Sequence, residues 1–393
     1  MTFKLELLGK YVKVIGGFAF KSEQFTEEGI PIVRISDIQG GTVSVNKVAR
    51  IPEAFVGKGD QYAIEPGDIL IAMSGATTGK IGLVPQSLNG LILQNQRVGN
   101  FKVTAPEKIH KPYLKHFVCT TAYQHQIFST MAGAAQPNIS SKQLENIQIP
   151  IPPIPEQRLI AAILDQADAL RTKRQEALAQ LDSLTQSIFV EMFGDAQTIF
   201  NKWPTKKLGE ILDFLTSGSR GWAEYYADSG ALFLRIQNVC KDELKLDDVA
   251  FVNAPDSTEA KRTKVQEGDV LLSITADLGR TAVIPAGLGN AHINQHLSIL
   301  RTSAVIPKYL SAFLTSPAGQ REILGRDKHG VKAGLNFDDI RSFRIPMPPQ
   351  LLQHYFCQKV ETVVKQRVLH QQALIELEAL FSSLQHRAFR GEL

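Results

Sequence analysis

Ile149-Pro150-Ile151-Pro152-Pro153 returns 196 positions later as Ile345-Pro346-Met347-Pro348-Pro349. The same shift carries Gln157 onto Gln353, Arg171 onto Arg367, Leu178 onto Leu374, Leu181 onto Leu377, Leu184 onto Leu380, Ser187 onto Ser383 and Phe193 onto Phe389. Upstream, Pro112-Tyr113-Leu114 meets Lys308-Tyr309-Leu310. Farther upstream the shift drifts to 201. There Gly67-Asp68-Ile69-Leu70 meets Gly268-Asp269-Val270-Leu271, and Arg34-Ile35 meets Arg235-Ile236. A repeat of about 200 residues is too long for a solenoid, whose units run to a few tens of residues. It predicts two domains of one kind, each followed by one long helix.

The local signals agree. Ile30 to Ile35 and Ile69 to Met73 read as short, branched-aliphatic strands. Pro112 to Met131 reads as one helix, with Tyr113, Leu114, Phe117, Val118, Ile127 and Phe128 at helical spacing. Ser140 to Gln143 fits a capping box that opens a short helix. The prolines after Ile149 cannot continue a helix or a central strand, so they form a stiff connector. Pro155-Glu156 then suits the first turn of a long helix, and Gly194 suits its end. The second copy runs from Pro349 to Gly391. The expected parts are domain 1 (1–152), helix 1 (153–195), domain 2 (196–348) and helix 2 (349–393), in an α+β fold.

Each predicted helix carries a heptad seam. In the first it is Leu164, Ala167, Leu178, Leu181, Thr185, Ile188 and Met192; in the second, Val360, Val363, Leu374, Leu377, Phe381, Leu384 and Ala388. Both seams are broken at matched layers, by Arg171 and Arg174 in one and by Arg367 and His370 in the other. Each helix could simply cover its own domain. Two equal seams with matched polar layers are better explained by the helices packing on each other as an antiparallel coiled coil. About 38 residues at ~1.5 Å each span roughly 57 Å. The order domain, helix, domain, helix permits a pseudo-twofold arrangement. That symmetry suits duplex DNA, and would also suit a protein dimer.

Composition narrows the class. The chain has 393 residues, 44% hydrophobic and 21% charged, which is globular. It has no apolar run of about 18 residues, and Met1-Thr2-Phe3-Lys4-Leu5-Glu6 lacks a signal-peptide pattern. Cys119, Cys240 and Cys357 lie too far apart for a metal knuckle or a disulfide framework, which fits a reducing cytoplasm. The net charge of +4 is spread over both halves, so nucleic-acid binding requires the fold to place cations locally.

The polar clusters each carry two readings. Ser74-Gly75-Ala76-Thr77-Thr78-Gly79-Lys80 has three residues between its glycines and Ile81 after Lys80, so it is not a nucleotide-binding phosphate loop. Its counterpart ends in Gly279-Arg280. A glycine followed by a cation is either a hairpin turn with a solvated side chain or a loop that touches DNA phosphate. Gln94-Asn95-Gln96-Arg97 matches Ile293-Asn294-Gln295-His296. Amides and Arg can read adenine and guanine edges, or can close a satisfied turn. Ser217-Gly218-Ser219-Arg220-Gly221-Trp222 sets an Arg beside a ring, or is a loop anchored by a buried Trp222. Arg34, Arg235, Asn238, Lys328 and Lys332 complete the candidate DNA-contact set. His292 and His296 have i,i+4 spacing, but the surrounding pattern is strand-like and predicts no metal. Glu243-Leu244-Lys245 resembles half of a nuclease motif without its preceding Pro-Asp. The Pro-Pro pairs lack the Asn or Asp and the aromatic of an amino-methyltransferase. There is no Gly-x-Ser-x-Gly elbow and no Gly-x-Gly-x-x-Gly, so the chain reads as recognition or scaffold.

Taken together, the Gly-Asp-Ile/Val-Leu strands, the Ile-Pro-x-Pro-Pro connectors and the long helices resemble the specificity subunit of a type I restriction-modification system. Gly17-Phe18-Ala19-Phe20-Lys21-Ser22, and Trp203-Pro204 ahead of Lys207-Leu208-Gly209-Glu210, are similar to that family's domain openings. The resemblance covers essentially the whole chain. Leu351-Leu352-Gln353 departs from Pro155-Glu156-Gln157, but keeps the glutamine. The resemblance implies that each domain is a target recognition domain reading one half of a split DNA sequence, and that the coiled coil sets their separation. It implies two methyltransferase subunits and two motor-nuclease subunits as partners. S-adenosylmethionine, ATP and Mg2+ would reside on those partners and no active site on this chain. Apolar residues outside the seam, such as Ile160 and Ile163, would dock the methyltransferase. The alternatives are a stand-alone DNA-binding or scaffold protein of the same architecture, and a methyltransferase with unrecognised motifs.

Overall fold

The computed structural model describes residues 3–45, 48–55, 57, 60–131, 137–326 and 334–393. It divides into two compact units. Unit 1 is Met1–Arg174 with Ala373–Leu393, and unit 2 is Gln175–Gln372. Each unit holds one mixed domain and parts of both long helices, Ile154–Phe193 and Gln350–Ala388. The fold is α+β.

In unit 1 a six-stranded sheet runs in the order Val12–Gly16, Val98–Val103, Ile69–Ala72, Ile81–Leu83, Thr42–Val43, Ile38–Gln39. A three-stranded sheet runs Ala49–Ile51, Ile30–Val33, Leu93–Gln94. Leu5–Leu7 pairs antiparallel with Gln148–Pro150 just before the connector. In unit 2 one sheet runs Phe214–Ser217, Leu297–Arg301, Val270–Ser273, Thr281–Val283. The other runs Tyr226–Ala227, Ala250–Val252, Ala231–Leu234, Ala291–Ile293, and Thr205–Lys207 pairs with Arg344–Pro346. The helix expected from Pro112 to Met131 is two helices, Lys111–Val118 and Thr121–Thr130. Thr120 divides them. Its hydroxyl donates to Phe117 O and accepts from Tyr123 N, so the first helix is closed and the second capped by one side chain.

The repeated residues prove to be a latch. Tyr113 Oη donates to Pro150 O at 2.9 Å, and Tyr309 Oη donates to Pro346 O at 2.9 Å. Gln157, fully buried, accepts from His110 N and donates to Lys108 O and Pro152 O. Gln353 accepts from Ile306 N and donates to Pro348 O. Each glutamine therefore satisfies backbone groups on both sides of the proline connector, where no regular ladder can reach them. That fixes the entry of the long helix against its own domain. Gln353 performs this without the Pro-Glu start of the first copy.

The Gly-Asp pair has a similar account. Gly67 (φ +76°) and Gly268 (φ +82°) take the left-handed turn ahead of the central strand. Asp68 then accepts from Glu65 N, Asn100, Lys102 and Lys111, and Asp269 accepts from Gln266 N and bidentately from Arg301 at 2.6 and 2.8 Å. Burial pushes the Asp68 carboxyl up, but these donors outweigh it and hold it below the usual value. Asp68→Ala leaves Lys111 and the Asn100 amide without this carboxylate, and leaves Lys102 only Glu65 at 3.6 Å. It is expected to cost about 3–5 kcal/mol in urea unfolding at neutral pH. A depressed folded-state pKa stabilises above the unfolded value, about 3.9, and its contribution is lost as pH falls through the folded one. The gap between wild type and variant should therefore shrink below about pH 4. A constant gap would remove the ionised carboxylate from the explanation.

Within each unit the two helices run antiparallel. In unit 1 Leu164 lies in one core with Ala388, and Arg171 stacks 4.4 Å over Phe381. In unit 2 Phe189 and Phe193 pack on Phe356 and Tyr309 at 4.9–5.8 Å between ring centres. Such pairs add roughly 0.5–1.5 kcal/mol each beyond area burial. Every seam residue is buried or half-buried, including Leu178, Leu181, Ile188, Leu374, Leu377 and Leu384. The polar layers are occupied: Arg171 reaches Asp168, and Arg367 reaches Asp182 at 3.3 Å and Glu243 at 2.9 Å.

Candidate nucleic-acid interface

The candidate loops of each unit come together at one edge, through backbone bonds that the strand order dictates. In unit 1, Met73 N donates to Arg97 O, Gly75 N to Pro137 O and Ile139 N to Met73 O, each at 2.9 Å. Phe18 N donates to Gln94 O, and Gln96 N to Phe18 O. The segments around Ser74, Asn95, Phe18 and Asn138 are thus neighbours. In unit 2, Ile274 N donates to His296 O and Leu335 N to Ile274 O, while Ser219 bridges Asn294. Close approach needs the opening glycines. A Cβ on Gly17 would lie 2.1 Å from Gln94 O, and one on Gly218 would lie 2.0 Å from Asn294 O.

The edge separates side chains that face solvent from those spent on the frame. Lys80, Gln96, Arg97 and Arg220 are exposed, and Asn95, Thr77, Arg280, Gln295 and His296 are partly so. Arg280 pairs with Asp277, and His296 is held by Thr275 Oγ1 and Gln295. By contrast, Gln94 is 1% exposed and its amide donates to Ile15 O at 2.7 Å. Thr78 donates to Gly75 O and Pro137 O. Asn238 is buried, caps Arg235 N, and donates to Lys245 O and Asp248 O. Ser74 and Asn294 are 8% exposed. These five are buried in the loop frame.

Arg34 and Arg235 begin matched turns: Arg34 lies 3.5 Å from Asp37, and Arg235 Nη2 lies 3.3 Å from Asp248. Lys328 and Lys332 lie outside the described residues. Trp222 is 6% exposed, against Phe233 and His292, so it anchors the 217–222 loop and leaves Arg220 at the surface. One residue escaped the sequence reading. Arg262 Nη1 donates to Ser217 O at 2.7 Å and to Thr216, tying the same loop to the helix Thr258–Thr263. Nothing in its sequence neighbourhood marks that contact. The edge thus offers two cations and amides in unit 1, and Arg220, Arg280, Gln295 and His296 in unit 2. This is a set able to position phosphate and to read base edges.

The family model described as "Type I restriction modification DNA specificity domain" matches residues 2–180. The EcoKI specificity subunit of Escherichia coli (strain K12) is 28% identical over 414 residues, covering 97% of this chain and 87% of that protein. The EcoBI specificity subunit of Escherichia coli is 24% identical, covering 97% and 84%. A solved chain from a study of assembly and conformational transition of the type I R-M system superimposes with TM-score 0.61 at 20% identity, over 100% of this chain and 98% of that one. The type I restriction-modification S subunit from M. genitalium does so with TM-score 0.58 at 16% identity, over 98% and 96%; both share the fold. Residues 2–180 thus match a type I restriction-modification DNA specificity domain, and the chain is similar along nearly its whole length to type I specificity subunits.

Proposed function

We propose that this subunit reads a split, asymmetric DNA sequence, one half per domain, and directs adenine methylation and cleavage by partner subunits. The observation that carries the reading is the paired edge. One backbone frame presents Lys80, Gln96 and Arg97 in unit 1, and Arg280, Gln295 and His296 at the matching places in unit 2. Equal frames with unequal tips are suited to two different DNA words. Lysine and arginine would fix each domain on phosphate, and the amides, Arg97 and His296 would face base edges.

Two methyltransferase subunits carrying S-adenosylmethionine, and two motor-nuclease subunits using ATP and Mg2+, would supply the chemistry. The long helices leave apolar side chains uncovered for such partners. Leu159 and Leu170 are 59% and 49% exposed in unit 1, and Leu351 and Leu369 are 84% and 62% exposed in unit 2. Ile160, expected on this outer surface, is instead 2% exposed in the core of unit 1, so the docking surface turns to Leu159.

The test is purification from the native host, with methylated adenines mapped across its genome. The chain is expected to co-purify with a methyltransferase, and deleting its gene should erase one split methylation pattern. The isolated chain should transfer no methyl groups. A chain that is stable alone and never recovers a methyltransferase would instead support the stand-alone reading.

A further inference from the structure

We infer that unit 2 carries a second DNA-phosphate contact, in a groove beside the 217–222 loop, which the described residues at the matching place in unit 1 do not offer. The inference rests on the DNA-reading proposal and adds a contact to it. The groove encloses about 480 Å3, and its polar lining is Asn253, Asp256, Lys261, Lys264, Asn290 and His292. Its floor is the sheet that contains Ala250–Val252, Ala231–Leu234 and Ala291–Ile293.

The internal repeat supplies the control. Lys264 bridges His292 in unit 2 as Ala63 bridges Leu93 in unit 1. His292 lies beside Phe233 in parallel register, as Leu93 lies beside Ile32. By the same registers Asn290 corresponds to Leu91, and Asn253 to Pro52. One backbone frame thus carries Ala, Leu, Leu and Pro in one copy, and Lys, His, Asn and Asn in the other. Unit 1 shows that apolar residues are sufficient for this frame. His292, at 5% exposure, spends its ring on Thr263 and the Ala260 backbone, so it forms the wall of the groove and leaves the lysines and amides to face outward.

The chemistry of the replacement is that of anion binding. Lysines bring charge, and the amides of Asn253 and Asn290 bring hydrogen-bond donors. Trp222, with its ring centre 5.0 Å away, and Thr263 Oγ1, 3.4 Å from Nδ1, hold the His292 ring in place. Lys261 meets Asp256 at 2.7 Å, but both side chains are largely exposed, and such a pair is readily exchanged for phosphate. The groove is also continuous with the edge. The strand Ala291–Ile293 runs directly into Asn294, and Arg262, between the two lysines, holds Ser217 O of the neighbouring loop.

The experiment uses the full chain with its methyltransferase partner and a duplex bearing the mapped site. Affinity is measured against salt concentration. Lys261→Ala with Lys264→Ala should weaken binding roughly tenfold near 0.1 M salt and lower the log–log salt slope by about 2, at ~0.9 per phosphate contact. The methylated sequence should not change, and the double Lys→Arg variant should restore the slope. A double-Ala variant with wild-type affinity and slope, beside an Arg280→Ala variant that loses both, would overturn the groove and leave the DNA-reading proposal standing. A changed methylated sequence would also overturn it, since the groove would then read bases. A wild-type complex that shows no affinity for the duplex would remove both.

Discussion

Exchanging residues 1–150 for the corresponding domain of another family member is expected to change one half of the methylated sequence and leave the other half as it was. The expectation follows from where the polar edge lies. Lys80, Asn95, Gln96 and Arg97 all belong to unit 1 and are held by bonds within that unit. The unit 2 edge is built the same way from its own strands. The effect should be total for the exchanged half, because mismatched base contacts at about 1–3 kcal/mol each accumulate over several base pairs. The incoming domain must fit the latch. It has to bring its own counterparts of Tyr113 and Pro150, which bond each other, and a turn that meets the bonds of Gln157. It must also cover Ala388 and Phe389, which pack on Tyr113 and Phe117. An exchange that ignores these contacts should lower stability rather than redirect reading. Sequencing methylated adenines after the exchange decides the matter, and a map with both halves altered would sink the one-domain-one-half reading.

The sequence disclosed the frame far better than the tips, and the residues show why. Tyr113 and Tyr309, Gln157 and Gln353, and Asp68 and Asp269 recur because each meets a backbone or buried-charge requirement that the fold imposes twice. A requirement met twice is visible in one sequence as a repeat. The heptad seam is legible for the same reason. The tips answer to a partner, so their identities carry no internal check. Gln94 and Asn238 have the composition of base readers, yet they spend their amides on Ile15 O and on Lys245 O and Asp248 O. Only the three-dimensional neighbours distinguish a reader from a frame residue of the same type. The half nuclease motif at Glu243 resolves in the same way. Glu243 pairs with Arg367, while Asp242, left-handed at φ +61°, is pinned by Lys308 and Ser311. The equivalent turn in unit 1 is Gly40-Gly41, with open space at both Cβ positions. The shift is 201 on both sides of this turn, Ile38 onto Val239 and Val43 onto Leu244, and falls to 199 at Leu93 onto His292 and to 196 at Tyr113 onto Tyr309, so the repeat drifts across the later connections.

Inserting one heptad into each long helix, after Arg174 and after Gln372, is expected to lengthen the unread gap between the two halves of the site by about three base pairs. Seven residues add about 10 Å of helix at ~1.5 Å each, and DNA rises about 3.4 Å per base pair. A heptad preserves the seam period of 3.5, so Leu164 and Ala388 can keep their core in unit 1, and Phe189 and Phe356 theirs in unit 2. An insertion into one helix alone should instead shift the seam against its partner and lower the thermal midpoint. The lengthened ruler carries a cost. Three base pairs also turn the duplex by roughly 100°, at about 10.5 base pairs per turn, and the DNA must twist or bend to present both grooves. Methylation should therefore slow even as its sequence acquires the longer gap. That pairing of a new spacing with a lower rate separates a ruler from a scaffold. If the helices only docked partners, the insertion would change complex yield and leave the gap unaltered. An active complex with the original gap would assign the spacing to the domains themselves.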